Sequence, residues 1–151
     1  MKDKWRLICI GLLLMVTGGS LTAQVTLFAD SVSGTQGSQV VVPIRANTFS
    51  NLIGMQGSIT WDTAVVTYDT TFQYGLPNMS VSNFGVTQAA HGVLTFSWDD
   101  PTFVGVSVPD STVLFALRFD VVGNPGDRSP VAFQNTPTQL EFTNNAFMVI
   151  P

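Results

Sequence analysis

Between Gly92 and Asp120 apolar and polar residues alternate in two runs. In the first, Leu94, Phe96 and Trp98 share one side and Thr95, Ser97 and Asp99 the other. In the second, Val113, Phe115, Leu117 and Phe119 alternate with Thr112, Leu114, Ala116 and Arg118. A period of two over this length predicts strands with one side in a core and the other available. A loop rich in Asp, Pro and Gly joins the two runs. Any binding must therefore use the second side of these strands or the loops at their ends.

The same reading extends over the chain from Val25 onward. Strands are predicted at 25–30, 39–45, 55–61 and 65–68, then at 86–89 and 93–98 around a His91-Gly92 hairpin turn. Further strands follow at 112–122, 130–134, 140–143 and 146–150. Pro43 predicts an edge position or a bulge in the second strand, since proline cannot donate to a ladder. The segment 69–83, with Gly75 and Pro77, reads as irregular, and Gly123-Asn124-Pro125-Gly126-Asp127 as a turn. No stretch has a helical period. Eight to ten short strands at this spacing predict an all-β fold, a two-sheet sandwich or jelly roll.

The first residues break this pattern. Lys2, Lys4 and Arg6 precede an apolar run from Leu7 to Val16, and small and polar residues lead to Leu21-Thr22-Ala23. That is the layout of a cleaved secretory signal peptide over residues 1–23. The apolar run is shorter than the roughly 18 to 20 residues a membrane span needs, so no membrane span is expected after cleavage. The domain is then 24–151, with the possibility that it begins a longer protein. Cleavage removes Lys2, Lys4, Arg6 and Asp3, leaving three Arg against nine acids, a net charge of −6. An acidic chain without lysine excludes nucleic acid and anionic membrane as partners, since both need a basic footprint. Cleavage also removes Cys9, the single cysteine. An exported domain without disulfides then depends on its core for stability, or on a metal.

Little in the remaining chain supports catalysis. It holds one His, one Glu, no Lys and no Cys. His91 would have to serve any nucleophile, and it lies in a turn. Asp99 and Asp100 are adjacent and point to opposite sides of an extended chain, which does not suit a glycosidase pair. No cofactor is expected. A structural Ca²⁺ held by Asp99, Asp100 and Asp110 around the 100–111 loop is the one metal considered, although these residues serve equally as turn formers. A polysaccharide partner would need exposed rings in a row, for which Tyr74, Trp98 and Phe103 are the candidates. Against this, Trp61 and Trp98 lie in phase with the core side of their strands.

Four segments carry a family resemblance. They are Val41-Val42-Pro43-Ile44, Gly54 through Asp62 (Gly-Met-Gln-Gly-Ser-Ile-Thr-Trp-Asp), Gly92-Val-Leu-Thr-Phe96, and Pro109 through Val121. Their order and spacing resemble the cohesin family. The resemblance implies a nine-stranded jelly roll, related to carbohydrate-binding sandwiches, that binds dockerin modules through a flat sheet face. Members hold secreted polysaccharide-degrading enzymes on a scaffold or cell surface. The positions matching that face are Gln56 and Ser58, then Thr95, Ser97 and Asp99, then Leu114 and Ala116. Two departures stand out. Gly54 and Gln56 occupy positions where the family often has Asn or Asp. The Ser97-Trp98-Asp99 run is one register step from the family pattern, which leaves Trp98 as the alternative outward residue. A level, weakly charged face of Gln, Ser and Thr can bury a standard interface of roughly 800 Å² per side. Residues of this kind can equally face only water.

Overall fold

The computed structural model describes residues 24–150, so the proposed leader over 1–23 lies outside the described residues. Ten strands form two antiparallel sheets. They are β1 (Thr26–Ala29), β2 (Gln39–Asn47), β3 (Leu52–Thr60), β4 (Val66–Phe72), β5 (Phe84–Gly85), β6 (Val93–Asp99), β7 (Thr112–Val121), β8 (Ala132–Gln134), β9 (Glu141–Asn144) and β10 (Val149–Ile150). One sheet has the order β1-β2-β7-β4, and the other β10-β9-β3-β6-β5. β8 takes the same edge of β3 as β9, pairing with Ser58 to Thr60 while β9 pairs with Leu52 to Gln56. The expected two-sheet sandwich is present, and its ten strands match the number read from the alternation, one more than the resemblance implies.

The period-two pattern explains which side of each strand is buried. Met55 and Ile59 of β3 and Leu94, Phe96 and Trp98 of β6 face the first sheet. Val42 and Ile44 of β2 and Phe115, Leu117 and Phe119 of β7 face back. Aromatic rings lock the layers together. Phe96 lies 5.7 Å from Phe115, Phe84 lies 4.9 Å from Phe115, and Trp61 lies 5.2 Å from Phe119. Such pairs contribute about 0.5–1.5 kcal/mol each beyond the area they bury.

Pro43 does not mark an edge, because β2 lies between β1 and β7. Its carbonyl accepts the Asp30 amide, so its own nitrogen also faces the β1 side, one residue past the end of that strand. A missing donor costs no ladder bond there. The bulge lies beside it, opposite Ile44 and Arg45. Expected strands move by a few residues elsewhere. β4 continues through Asp69 to Phe72, where irregular chain was expected, with Asp69 as the extra residue of a second bulge.

The expected strand at 86–89 is replaced by β5 at Phe84–Gly85. Ala89–His91 is a single 3₁₀ turn ending on Gly92 at φ +76°. A Cβ at Gly92 would lie 2.4 Å from the Trp61 carbonyl oxygen, so the turn next to β6 admits glycine for space as well as for φ.

Candidate partner-binding face

The outward side of the β9-β3-β6-β5 sheet is built from three rows that the register sets side by side. Thr143, Gly54 and Asp99 form one, and Glu141, Gln56 and Ser97 the next. Gln134, Ser58, Thr95 and Gly85 form the third. Ser97 and Asp99 are exposed, while Gln56, Thr95, Glu141 and Thr143 are half-buried. The phase is settled by Trp98. It is buried against Phe49, and its indole N–H donates to the Pro77 carbonyl at 2.7 Å. Ser97 and Asp99 therefore face out, and Trp98 does not.

Of the seven residues expected on one docking face, four share the outward side of this sheet and are open to solvent in whole or part: Gln56, Thr95, Ser97 and Asp99. The other three need correction. Ser58 points outward but is fully covered. Its hydroxyl donates to the Thr138 carbonyl at 2.8 Å and accepts the Thr138 amide at 2.9 Å. The 135–140 segment between β8 and β9 folds over it, a long-range contact that no local pattern announces.

Leu114 and Ala116 belong to β7, in the other sheet, and both are fully buried. At the bulge Ile44 pairs with Phe115 and Arg45 with Val113, so Leu114 is the extra residue and turns into the core. One inserted residue shifts the phase, so strict alternation assigns the wrong side. Ala116 keeps its outward phase but sits between Pro43 and Phe72 on the flanking strands.

Sequence reasoning also missed residues. Glu141 accepts a hydrogen bond from Gln56 Nε2 at 3.1 Å, and Thr143 follows it on the outward side of β9. The alternation Leu140-Glu141-Phe142-Thr143 carried that signal, but only the pairing with β3 places it on this face. Asn83 Nδ2 donates to the Ser97 carbonyl at 2.8 Å and ties the 81–83 turn to the edge of β6.

The two outer faces differ in charge and in how far their polar groups are engaged. On the β1-β2-β7-β4 sheet, Arg45 pairs with Asp30 at 2.9 Å and Gln39 with Asp120 at 2.9 Å. Arg118 pairs with Asp69 and lies over the Phe72 ring. The third arginine of the described residues, Arg128, lies in the loop before β8. The β9-β3-β6-β5 face therefore holds Asp99 and Glu141 with no cation in its rows.

The carboxylates considered for calcium are separated by task. Asp99 faces out on β6. Asp100 is buried and accepts hydrogen bonds from the Thr102 hydroxyl, the Thr102 amide and the Gly105 amide. These donors, the Thr102 hydroxyl first, hold its carboxyl below the ordinary value of 3.8 against the opposing effect of burial. Asp110 accepts the Thr48 amide at 2.7 Å. Among the described residues no three His, Cys, Asp or Glu come together as a metal site.

The rings considered for sugar do not form a row either. Trp98 is in the core, and Tyr74 stacks on Phe84 and donates its hydroxyl to the Thr71 carbonyl. Phe103 is exposed in the loop after β6. His91 is exposed on its turn.

The described residues thus form a two-sheet β-sandwich with an open polar face on one sheet and ion-paired side chains on the face of the other. The family model of the cohesin domain matches residues 25–146, and the chain belongs to that family. Among solved structures, the sixth cohesin of Acetivibrio cellulolyticus scaffoldin B, in complex with a Cel5 dockerin mutant, is similar at TM-score 0.70 and 21% identity. That match covers 85% of this chain and 92% of the other. CaCohA2 of Clostridium acetobutylicum is similar at TM-score 0.65 and 23% identity, over 84% and 83% of the two chains. The cohesin of the Clostridium thermocellum Coh-OlpA–Doc918 complex gives 0.69 at 12%, over 85% and 92%. At these identities the structures speak for the fold. No curated protein matches the chain in sequence.

Proposed function

We propose that this chain is a non-catalytic, exported cohesin module. It docks a dockerin-type protein through the outward face of β9, β3, β6 and β5, and so holds enzymes of extracellular polysaccharide breakdown on a scaffold or cell surface. The observation that carries this reading is the contrast between the two faces. One sheet engages its arginines within itself, and the other presents Asp99, Ser97, Thr95, Gln56 and Glu141 on a level surface. Small and amide side chains there can be desolvated at modest cost, and the two acids set the sign of the partner's charge. Family membership supports the choice of partner, as do the cohesin–dockerin complexes among the similar structures. The charged leader with its apolar run supports export.

Calorimetry of the domain against a panel of dockerins, and against soluble glucans and xylans, tests the proposal. A dockerin should bind, and Ser97→Arg should abolish binding without changing the fold. Binding to glycans with none to dockerins would overturn it.

A further inference from the structure

At one end of the same face lies an apolar cluster that the sheet residues do not explain. The loop after β6 carries Phe103 and Val104, exposed to 57% and 72%, and the β9–β10 turn carries Phe147 and Met148 at 69% and 59%. The Phe103 and Phe147 rings lie 6.0 Å apart, and Asn145 Nδ2 donates to the Val104 carbonyl at 3.2 Å, joining the two loops. Both phenylalanines hold positive φ, +57° and +58°. For a bulky residue this conformation costs on the order of 1–2 kcal/mol. Water offers these rings no return for that strain.

The strain is imposed from below. Asp100 pins the first loop through Thr102 and Gly105, and Leu52 and Val106 exchange backbone hydrogen bonds at 3.0 and 2.8 Å. In the second loop Asn144 Oδ1 accepts the Ala146 and Met148 amides, each at 3.0 Å, and the Asn145 amide donates to the Asn51 carbonyl. The rings are thus held out before any partner arrives, which reduces the ordering cost of binding.

The cluster is continuous with the polar face. Val149 pairs with Thr143, Thr143 with Gly54 and Gly54 with Asp99, so one outward row leads from the β9–β10 turn to the start of the Phe103 loop. Gly54 has no side chain, which leaves that row shallow between Thr143 and Asp99.

We infer that the Phe103–Phe147 pair and Asp99 form one anchoring subsite of the docking face. Its occupant is a dockerin-type protein surface that sets apolar side chains on the two rings and a Lys or Arg against Asp99. The inference rests on the docking function proposed above and assigns the anchor within it. Apolar rings beside a charge, at the edge of a face with two acids and no cation, suit a basic amphipathic surface.

The test begins with dockerin modules displayed as a library and selected on the wild-type domain. The selected binder is then measured against four variants. Phe103→Asn with Phe147→Asn removes the rings with a residue that tolerates positive φ. Val104→Ser with Met148→Ser removes apolar surface at ordinary φ and guards against a loop change in the first pair. Asp99→Asn tests the charge, and Ser97→Arg blocks the sheet.

Both apolar double variants should weaken binding about tenfold or more, chiefly through faster dissociation. Asp99→Asn should weaken it and flatten its salt dependence. Unchanged affinity in both double variants, with Ser97→Arg abolishing binding, overturns the subsite and leaves the docking face standing. No effect from Ser97→Arg, or no dockerin selected at all, overturns the docking function and the subsite with it. Glycan binding lost in the Phe103→Asn, Phe147→Asn variant would make the rings a sugar platform and likewise overturn the inference.

Discussion

Asp100 stands at the junction of core and surface, directly after β6, and holds the Phe103 loop. Its carboxylate is kept below the ordinary value of 3.8 by donors present only in the fold. The stability it adds is complete above its unfolded pKa and is lost as pH falls through the lower folded value. The stability difference between wild type and Asp100→Asn should therefore be constant above about pH 5 and shrink below pH 4. Denaturant titrations at a series of pH values check this, and a difference that grows toward acid would refute it. Trp98 makes a second prediction at this scale. Trp98→Phe keeps an aromatic side chain but shrinks a fully buried one and removes the N–H that the Pro77 carbonyl accepts, for a loss of about 1–3 kcal/mol. That loss is measurable as a lower denaturant midpoint, and it should leave partner affinity nearly unchanged because the ring faces the core.

Among the elements, the 135–140 connection matters most for the face, because it decides that Ser58 is structure and not surface. Ser58→Ala removes the partner of both the amide and the carbonyl of Thr138. A cost of about 1–2 kcal/mol is expected, with faster hydrogen exchange at Thr138. Dockerin affinity should stay within about twofold. A large affinity loss in a fully folded Ser58→Ala domain would mean that the connection is itself part of the contact. β7 illustrates the other route by which an element escapes its pattern. Its run from Thr112 to Asp120 was legible as a strand, but the extra residue at Leu114 was not. Nothing in Val113-Leu114-Phe115 distinguishes a bulge from regular pleating. Only the pairing with Ile44 and Arg45 does so.

At the scale of the molecule the charge is divided by face. The three arginines of the described residues lie on the β1-β2-β7-β4 sheet and in the loop before β8, and the opposite face keeps two acids. Association with a basic partner should slow as salt is raised over the range where the Debye length falls from about 10 Å to 3 Å. Asp99→Asn with Glu141→Gln should remove most of that dependence, which stopped-flow rates at several ionic strengths would show. Equal salt slopes in wild type and the double variant would place the electrostatic steering elsewhere.

The sequence by itself determined the all-β class, the inward side of β3 and the outward placement of Gln56 and Thr95, while the buried indole of Trp98 was needed to turn Ser97 and Asp99 outward. Alternation is a local property, and a side chain's phase within one regular strand needs no knowledge of the rest. The ordered motifs likewise sufficed for the family. Tertiary structure alone decided that Leu114 turns inward, that Ala116 and Ser58 are covered, and that Glu141 and Thr143 lie beside Gln56 and Gly54. It also joined Phe103 to Phe147 across 44 positions of chain. Each of these depends on which strand lies next to which. Register and loop closure are set by the whole chain's packing, and no short window of residues contains that information.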